Sequence, residues 1–375
     1  MKQFPFLDLK LANAPIEQEL KDAALKVISS GRYLRGEETQ LLEQEIAQLC
    51  DTRFCVAVSN GLDALRLILR AYKELGLLRD GDAVIVPGNT FVASVLAVSD
   101  NALKPVMCDP RADTMNLDSD KALRLMERYD AKAIMPVHLY GTPCWDEQLM
   151  ELARERNVLI IEDNAQAIGA KASVCGLNGT AMTGGLGHAA GISFYPTKNL
   201  GALGDAGAVT TNDEALASTV RALANYGCDR RYHNIMQGLN CRIDELQAAM
   251  LRVKLRHLAD ETTRRNRIAL TYNQHICNPR VTTPVFFENM TQVWHQYVVR
   301  VSDRSRFMQY MADNGVGTDI HYETPAHLQP CYPALASEPL PMTETLAREV
   351  VSLPIAHPIT ESDAEKIAGI IYRFE

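Results

Sequence analysis

A lysine held in a loop of serine, proline and glycine, downstream of an acid that closes an apolar run, can do carbonyl–amine chemistry. Lys198 lies in Ser193-Phe194-Tyr195-Pro196-Thr197-Lys198-Asn199-Leu200, ahead of the glycine-rich residues 201–207. Residues 157–163 form an apolar run ending in Glu162-Asp163. Such an amine can form a Schiff base with the aldehyde of pyridoxal phosphate (PLP), and such an acid can keep the pyridine nitrogen protonated so that the ring draws off electrons. Taken singly, Lys198 reads as a solvated loop lysine and Asp163 as a helix cap. The neighbouring motifs decide between the two readings.

A phosphate has a seat at Asn60-Gly61-Leu62. There an expected strand ends, a glycine permits close backbone approach, and the following helix points free N–H groups and its positive end at an anion. A plain strand-to-helix turn is the alternative. Phe91, after the turn Pro87-Gly88-Asn89-Thr90, can present a ring face or serve as a core aromatic. Gln166 follows Asp163 by three residues. If a helical turn starts there, its amide reaches the same site without adding a charge.

The elements that position these residues read as α/β. Short apolar strands are expected at 54–58, 83–86, 105–108, 133–137, 158–161, 191–194 and 208–211, with helical runs such as 62–75, 90–99 and 147–156 between them. That alternation predicts crossover units and a largely parallel, buried central sheet. A periodic run from Asp244 to about Tyr272 predicts one long helix leading to a smaller α+β domain, with a strand at 296–301 and a helix at 304–314. The expected division is residues 1–250 and 251–375. Residues 325–341, rich in proline, read as an irregular loop with room for a substrate role.

Composition narrows the classes. A chain of 375 residues with 47% hydrophobic content can bury a large core. A net charge of -8 offers no electrostatic footprint for nucleic acid or an anionic membrane. The first eleven residues lack a signal-peptide pattern and no stretch has the roughly eighteen apolar residues of a membrane span, so a cytoplasmic location is expected. Nine cysteines without a C-x-x-C pair indicate neither a disulfide framework nor zinc. The closest histidine candidates for a metal, His321 and His327, stand in no recognised ligand pattern, and no metal is expected. Gly185-x-Gly187-x-x-x-Gly191 and Gly201-x-x-Gly204-x-x-Gly207 miss the dinucleotide spacing, which disfavours a nicotinamide dehydrogenase.

The segments Glu162-Asp163-Asn164-Ala165-Gln166, residues 193–207 and residues 238–249 occur in order, together with Ser59-Asn60-Gly61-Leu62-Asp63-Ala64-Leu65, Pro87-Gly88-Asn89-Thr90-Phe91, His321-Tyr322 and Leu353-Pro354. In this the chain resembles the DegT/DnrJ/EryC1/StrS family of sugar aminotransferases over nearly its whole length. The resemblance implies a type I PLP fold and a homodimer with shared active sites. It implies amination of a nucleotide-linked keto-6-deoxy sugar with L-glutamate as donor. It gives Lys198 and Asp163 the catalytic roles. It assigns the cofactor phosphate to the Gly61 and Leu62 amides, the Ser193 hydroxyl and, from the neighbouring chain, Asn240. Phe91 is implied to stack on the pyridine and Gln166 to meet its phenolic oxygen. Sugar contacts are implied for Tyr195, His321 and Tyr322.

Two positions depart from the family. Leu62 stands where threonine is common, which removes a hydroxyl but no amide. Cys241 replaces the usual serine beside Asn240. Phe194-Tyr195-Pro196 before the lysine and Gly204-Asp205-Ala206-Gly207 after it resemble the subgroup that aminates C3 of a dTDP-linked 3-keto sugar. A C4 enzyme acting on dTDP-4-keto-6-deoxyglucose, or one acting on a UDP-linked 3-keto sugar, is the alternative. A sugar dehydratase of the same fold would carry histidine in place of Lys198. A silent PLP-binding regulator would be expected to carry an added DNA-binding segment.

Overall fold

A computed structural model describes residues 3–174 and 179–375. Its strands, in chain order, are β1 (Phe54–Val58), β2 (Ala83–Pro87), β3 (Lys104–Cys108), β4 (Ala133–Ile134), β5 (Leu159–Asp163), β6 (Lys171–Val174), β7 (Gly179–Met182), β8 (Ala189–Ser193), β9 (Gly207–Thr211), β10 (Cys228–Arg230), β11 (His233–Asn234), β12 (Val281–Thr282), β13 (Tyr297–Val301) and β14 (Val350–Leu353). The helices are α1 (Leu9–Asn13), α2 (Glu17–Ser30), α3 (Glu37–Leu49), α4 (Gly61–Glu74), α5 (Val92–Ser99), α6 (Ser119–Tyr129), α7 (Glu147–Glu155), α8 (Glu214–Leu223), α9 (Glu245–Arg256), α10 (Leu258–His275), α11 (Arg304–Asp313), α12 (Pro341–Glu349) and α13 (Glu361–Tyr372).

Seven strands form the central sheet in the order β1-β9-β8-β5-β4-β2-β3. The ladders joining β3, β2, β4, β5 and β8 are parallel, whereas β9 runs antiparallel to both β8 and β1. β2 and β9 are buried at every position, as strands covered on both faces must be. Alternate residues serve opposite faces. Val84 and Val86 join the core under α4, α5 and α8, while Ile85 joins the one under α6 and α7. The carboxyl ends of β5 and β8 and the amino end of α4 therefore open on one side of a rigid, two-sided core.

β4 stops short of the expected 133–137. Pro136 carries no N–H for the ladder, although its carbonyl still accepts from Asp163 N at 2.9 Å and Val137 makes an isolated parallel bridge with Asp163. The expected long helix also differs. At His257 the backbone N–H bonds to Lys254 O, three residues back, which ends α9 and begins α10. The break lets one periodic run serve two cores. Leu251 and Leu258 pack with the central sheet, while Ile268, Ala269 and Tyr272 pack with β13, β14, α11 and α13. The expected boundary after residue 250 falls inside α9. The amino end departs from that division too, because Phe4 lies in the second core and exchanges backbone hydrogen bonds with Gly315 and Gly317 at 2.8 Å each.

Glu245 ties α3 to α9. Gly36, the N-cap of α3, has no side chain to offer, and the Glu245 carboxylate accepts from the amides of Gly36, Glu38 and Thr39 at 2.8, 2.9 and 3.0 Å. Residues 325–341 hold two short 3-10 turns and pack Ala326 and Leu340 into the main core, away from the central cavity described below. Among the described residues no helix is long and apolar enough to cross a membrane.

Candidate active site

Asp163 closes β5 and is only 5% exposed. Its Oδ2 accepts from the Ser94 hydroxyl at 2.6 Å and its Oδ1 from the Ala165 amide at 3.1 Å. Burial pushes its carboxyl above the usual aspartate range, and those two donors together with Lys198 and His138 pull the other way. Lys198 sits in the turn after β8, its amide donating to Tyr195 O at 2.8 Å. Enclosure pushes its amine down to about 8, against an upward pull from Asp163. A buried acid and an amine poised to lose its proton thus face one another electrostatically, which is an arrangement for amine nucleophilicity and proton transfer.

The second feature is the start of α4. Asn60 caps it by accepting from Asp63 N at 2.8 Å. The Asp63 carboxylate in turn accepts from Ser59 Oγ at 2.6 Å and Asn60 Nδ2 at 2.9 Å. A Cβ on Gly61 would lie 2.5 Å from the Ser193 Cβ, so glycine is what lets the helix start meet the end of β8. The Gly61 and Leu62 amides, at the first helical positions, have no intrahelical acceptor. With the Ser193 side chain they could hold an anion at a helix N-terminus.

Three more elements close the walls. Phe91, the N-cap of α5, is 49% exposed, and its ring centroid lies 5.1 Å from that of Tyr322. Gln166 Oε1 accepts from Tyr140 N at 2.6 Å, and Gln166 Nε2 donates to the Tyr322 hydroxyl at 3.0 Å. His321 is held by Ser352 Oγ at 2.9 Å, and burial lowers its pKa against the pull of Asp319. Tyr195 presents an exposed ring.

One cavity of about 460 Å³ is lined by every candidate taken from the sequence except Asn240: Gly61, Leu62, Phe91, Asp163, Gln166, Ser193, Tyr195, Lys198, His321 and Tyr322. Asn240 is exposed elsewhere, in an isolated bridge with Asn225. The donor set fits PLP. An acid suits the ring nitrogen, an amine the aldehyde, a glycine-opened helix start the phosphate, and a half-exposed ring the pyridine face.

The structure adds residues that sequence reasoning passed over. Ser94 is completely buried against Asp163, and its hydroxyl is 2.7 Å from Thr90 Oγ1. His295 lines the cavity and meets Asn199 Oδ1 at 3.3 Å. Burial, then Lys198, Arg265 and His321, press its pKa well below the usual histidine range. The available signals were slight. Ser94 is a small polar residue one turn after Phe91, and His295-Gln296 is a polar pair just before a strand.

Comparison with known proteins identifies the family. The profile of the DegT/DnrJ/EryC1/StrS aminotransferase family matches residues 15–372. The dTDP-3-amino-3,6-dideoxy-alpha-D-galactopyranose transaminase of Aneurinibacillus thermoaerophilus is 44% identical over 372 residues, covering 99% of each chain. The dTDP-3-amino-3,4,6-trideoxy-alpha-D-glucose transaminase of Streptomyces venezuelae is 40% identical, covering 98% of this chain and 95% of its own. The crystal structure of S. venezuelae DesV in complex with a ketimine intermediate superposes with a TM-score of 0.92 at 38% identity, covering 99% of this chain and 98% of the other.

Proposed function

The chain belongs to the DegT/DnrJ/EryC1/StrS aminotransferase family, and from that premise we propose that it carries the amino group of L-glutamate to C3 of a dTDP-linked 3-keto-6-deoxyhexose, yielding the dTDP-3-amino-3,6-dideoxyhexose. It is a PLP-dependent sugar aminotransferase. The observation that carries the reading is the convergence of Asp163, Lys198 and the Gly61–Ser193 cradle on one cavity.

PLP, when bound, supplies an aldehyde with which an amine condenses and a ring that accepts the electrons a carbon keeps when it loses a proton. The protein's part is holding and proton handling. Asp163 keeps the ring nitrogen protonated through a charged hydrogen bond. The Gly61 and Leu62 amides and the Ser193 hydroxyl would hold the phosphate, Phe91 would stack on the ring, and Gln166 Nε2 would offer a donor to the phenolic oxygen. Lys198 Nζ takes the proton from the α carbon of glutamate, and in the return half-reaction it delivers one to the sugar carbon. Tyr195, His321 and Tyr322 bound the space for the sugar.

Tyr195 and Asp205 flank the lysine in the pattern of the C3 subgroup, and the two relatives above carry 3-amino products in their names. Residues beside Lys198 set which sugar carbon reaches attack distance, a choice of roughly one bond length. The pyridoxamine phosphate form is to be mixed with dTDP-4-keto-6-deoxyglucose, with and without a 3,4-ketoisomerase, and the nitrogen located by NMR. Amination at C3 that requires the isomerase is expected. Efficient C4 amination without it would overturn the C3 reading.

The active unit is proposed to be a homodimer whose sites are shared, working in the cytoplasm. Asn240 stands outside its own chain's cavity, and the segment around it exposes Tyr226, Tyr232, Ile235 and Leu239. Such an apolar surface supports burial against a second copy. Mixing inactive Lys198→Ala and Asn240→Ala chains is expected to restore activity in verified hybrids, where one site keeps both residues. Hybrids that stay dead would count against Asn240 acting across the interface.

A further inference from the structure

Asp163 must be ionised to hold a protonated ring nitrogen, yet it sits where burial favours the neutral acid. Part of what offsets that burial is a pair of hydroxyls, one on α5 and one in the turn before it. Ser94 Oγ lies 2.6 Å from Asp163 Oδ2, and Thr90 Oγ1 lies 2.7 Å from Ser94 Oγ. Ser94 is wholly buried, and Thr90, 3% exposed, forms part of the cavity wall.

Proton counting orders this chain of hydroxyls. An ionised carboxylate only accepts, so Ser94 must give its single proton to Asp163. Ser94 Oγ is then left to accept, and Thr90 must donate to it. When Asp163 is protonated on Oδ2 the direction reverses, with Asp163 donating to Ser94 and Ser94 to Thr90. The two hydroxyls can satisfy either charge state, but only the first direction brings a donor to a charged acceptor, and such bonds are the stronger kind.

We propose that Ser94 is the positioning residue that keeps Asp163 ionised and fixed in orientation, and that Thr90 completes the relay by committing the Ser94 proton to the carboxylate. The inference deepens the proposed aminotransferase reading and rests on it for its consequence, though not for its chemistry. Other charged or titratable groups acting on Asp163 are Lys198, from the turn after β8, and His138, from the segment after β4, while Tyr322 lies within electrostatic reach. Glu162, the preceding residue, is turned away from Asp163, its carboxylate held by His138 and the amides of Gly184, Leu186 and Gly187. The Ala165 amide stays on Oδ1 whatever Ser94 becomes. Replacing Ser94 therefore isolates the hydroxyl.

The test is an infrared pH titration of the full chain freed of cofactor, with the protonated carboxyl stretch of Asp163 assigned by subtracting the Asp163→Asn spectrum. Removing a hydroxyl that stabilises the charged form raises the midpoint, and a charged hydrogen bond corresponds to about one to two pH units. Ser94→Ala is expected to show that rise, Ser94→Thr to restore the original midpoint, and Thr90→Val to move it the same way by less than about one unit. Equilibrium titration should show weaker PLP binding by Ser94→Ala, and in the loaded enzyme kcat should fall with KM for the sugar little changed. A midpoint that moves in neither Ser94→Ala nor Thr90→Val overturns the proposal. Because the infrared readout needs neither cofactor nor substrate, a chain that failed to aminate sugars could still keep its relay, so the two failures are separable.

Discussion

Lys198→Ala is expected to abolish turnover, lowering kcat by at least about 10⁴-fold, since the substitution removes both the nucleophile and the group that moves the proton. The fold should persist, because among the described residues no backbone group is hydrogen-bonded to the amine. Enclosure pushes this amine down to about 8. Near neutral pH a larger share of the molecules then carries a neutral Lys198 than would carry a neutral solvent-exposed lysine, whose pKa lies near 10.4. The sign follows directly. PLP capture by the cofactor-free wild type should accelerate as pH rises toward 8 and level off above it, and a capture rate still climbing at pH 10 would mean that the amine is not depressed. Lys198→Arg keeps a positive charge but cannot condense with an aldehyde, so it should be as inactive as the alanine variant in steady-state assays.

Asp163→Asn is expected to leave PLP bound while cutting kcat by about 10²- to 10³-fold, the usual cost of losing one preorganised electrostatic contact. The amide oxygen can keep the Ala165 amide as its donor while Nδ2 donates to Ser94 Oγ, whose own proton then turns to Thr90, so the local structure has little reason to change. What it lacks is the charge that holds the ring nitrogen protonated. PLP content from the absorbance spectrum and kcat measured on the same preparation separate the two effects. Near-normal turnover would reduce Asp163 to a structural end to β5.

Much of this was legible in the residues because the features concerned are local. Strands of a buried parallel sheet read as short apolar runs, and 54–58 was bounded correctly. The acid at the end of β5, the lysine loop and the glycine at the start of α4 are each local, though read singly they allowed plainer readings and took their roles from the family's motifs occurring together in order. The features that were missed are non-local. Nothing near Gly36 says that its helix is capped by Glu245, a residue 209 positions away. The helical period continues through His257, so the break there appears only once Leu258 and Tyr272 are seen to serve different cores. Ser94 looks like any small residue of an apolar helix until β5 brings Asp163 against it. Pro136 was the exception, a local stop to β4 visible in the sequence and passed over.

The account stands on Lys198 being the amine that meets the cofactor aldehyde. Borohydride reduction of the wild-type chain carrying PLP, followed by digestion and mass mapping, asks this directly. The phosphopyridoxyl group should appear on the peptide holding Lys198, and prior incubation with L-glutamate should suppress it by freeing that amine. A label on a different lysine, or one that glutamate does not diminish, would contradict the account.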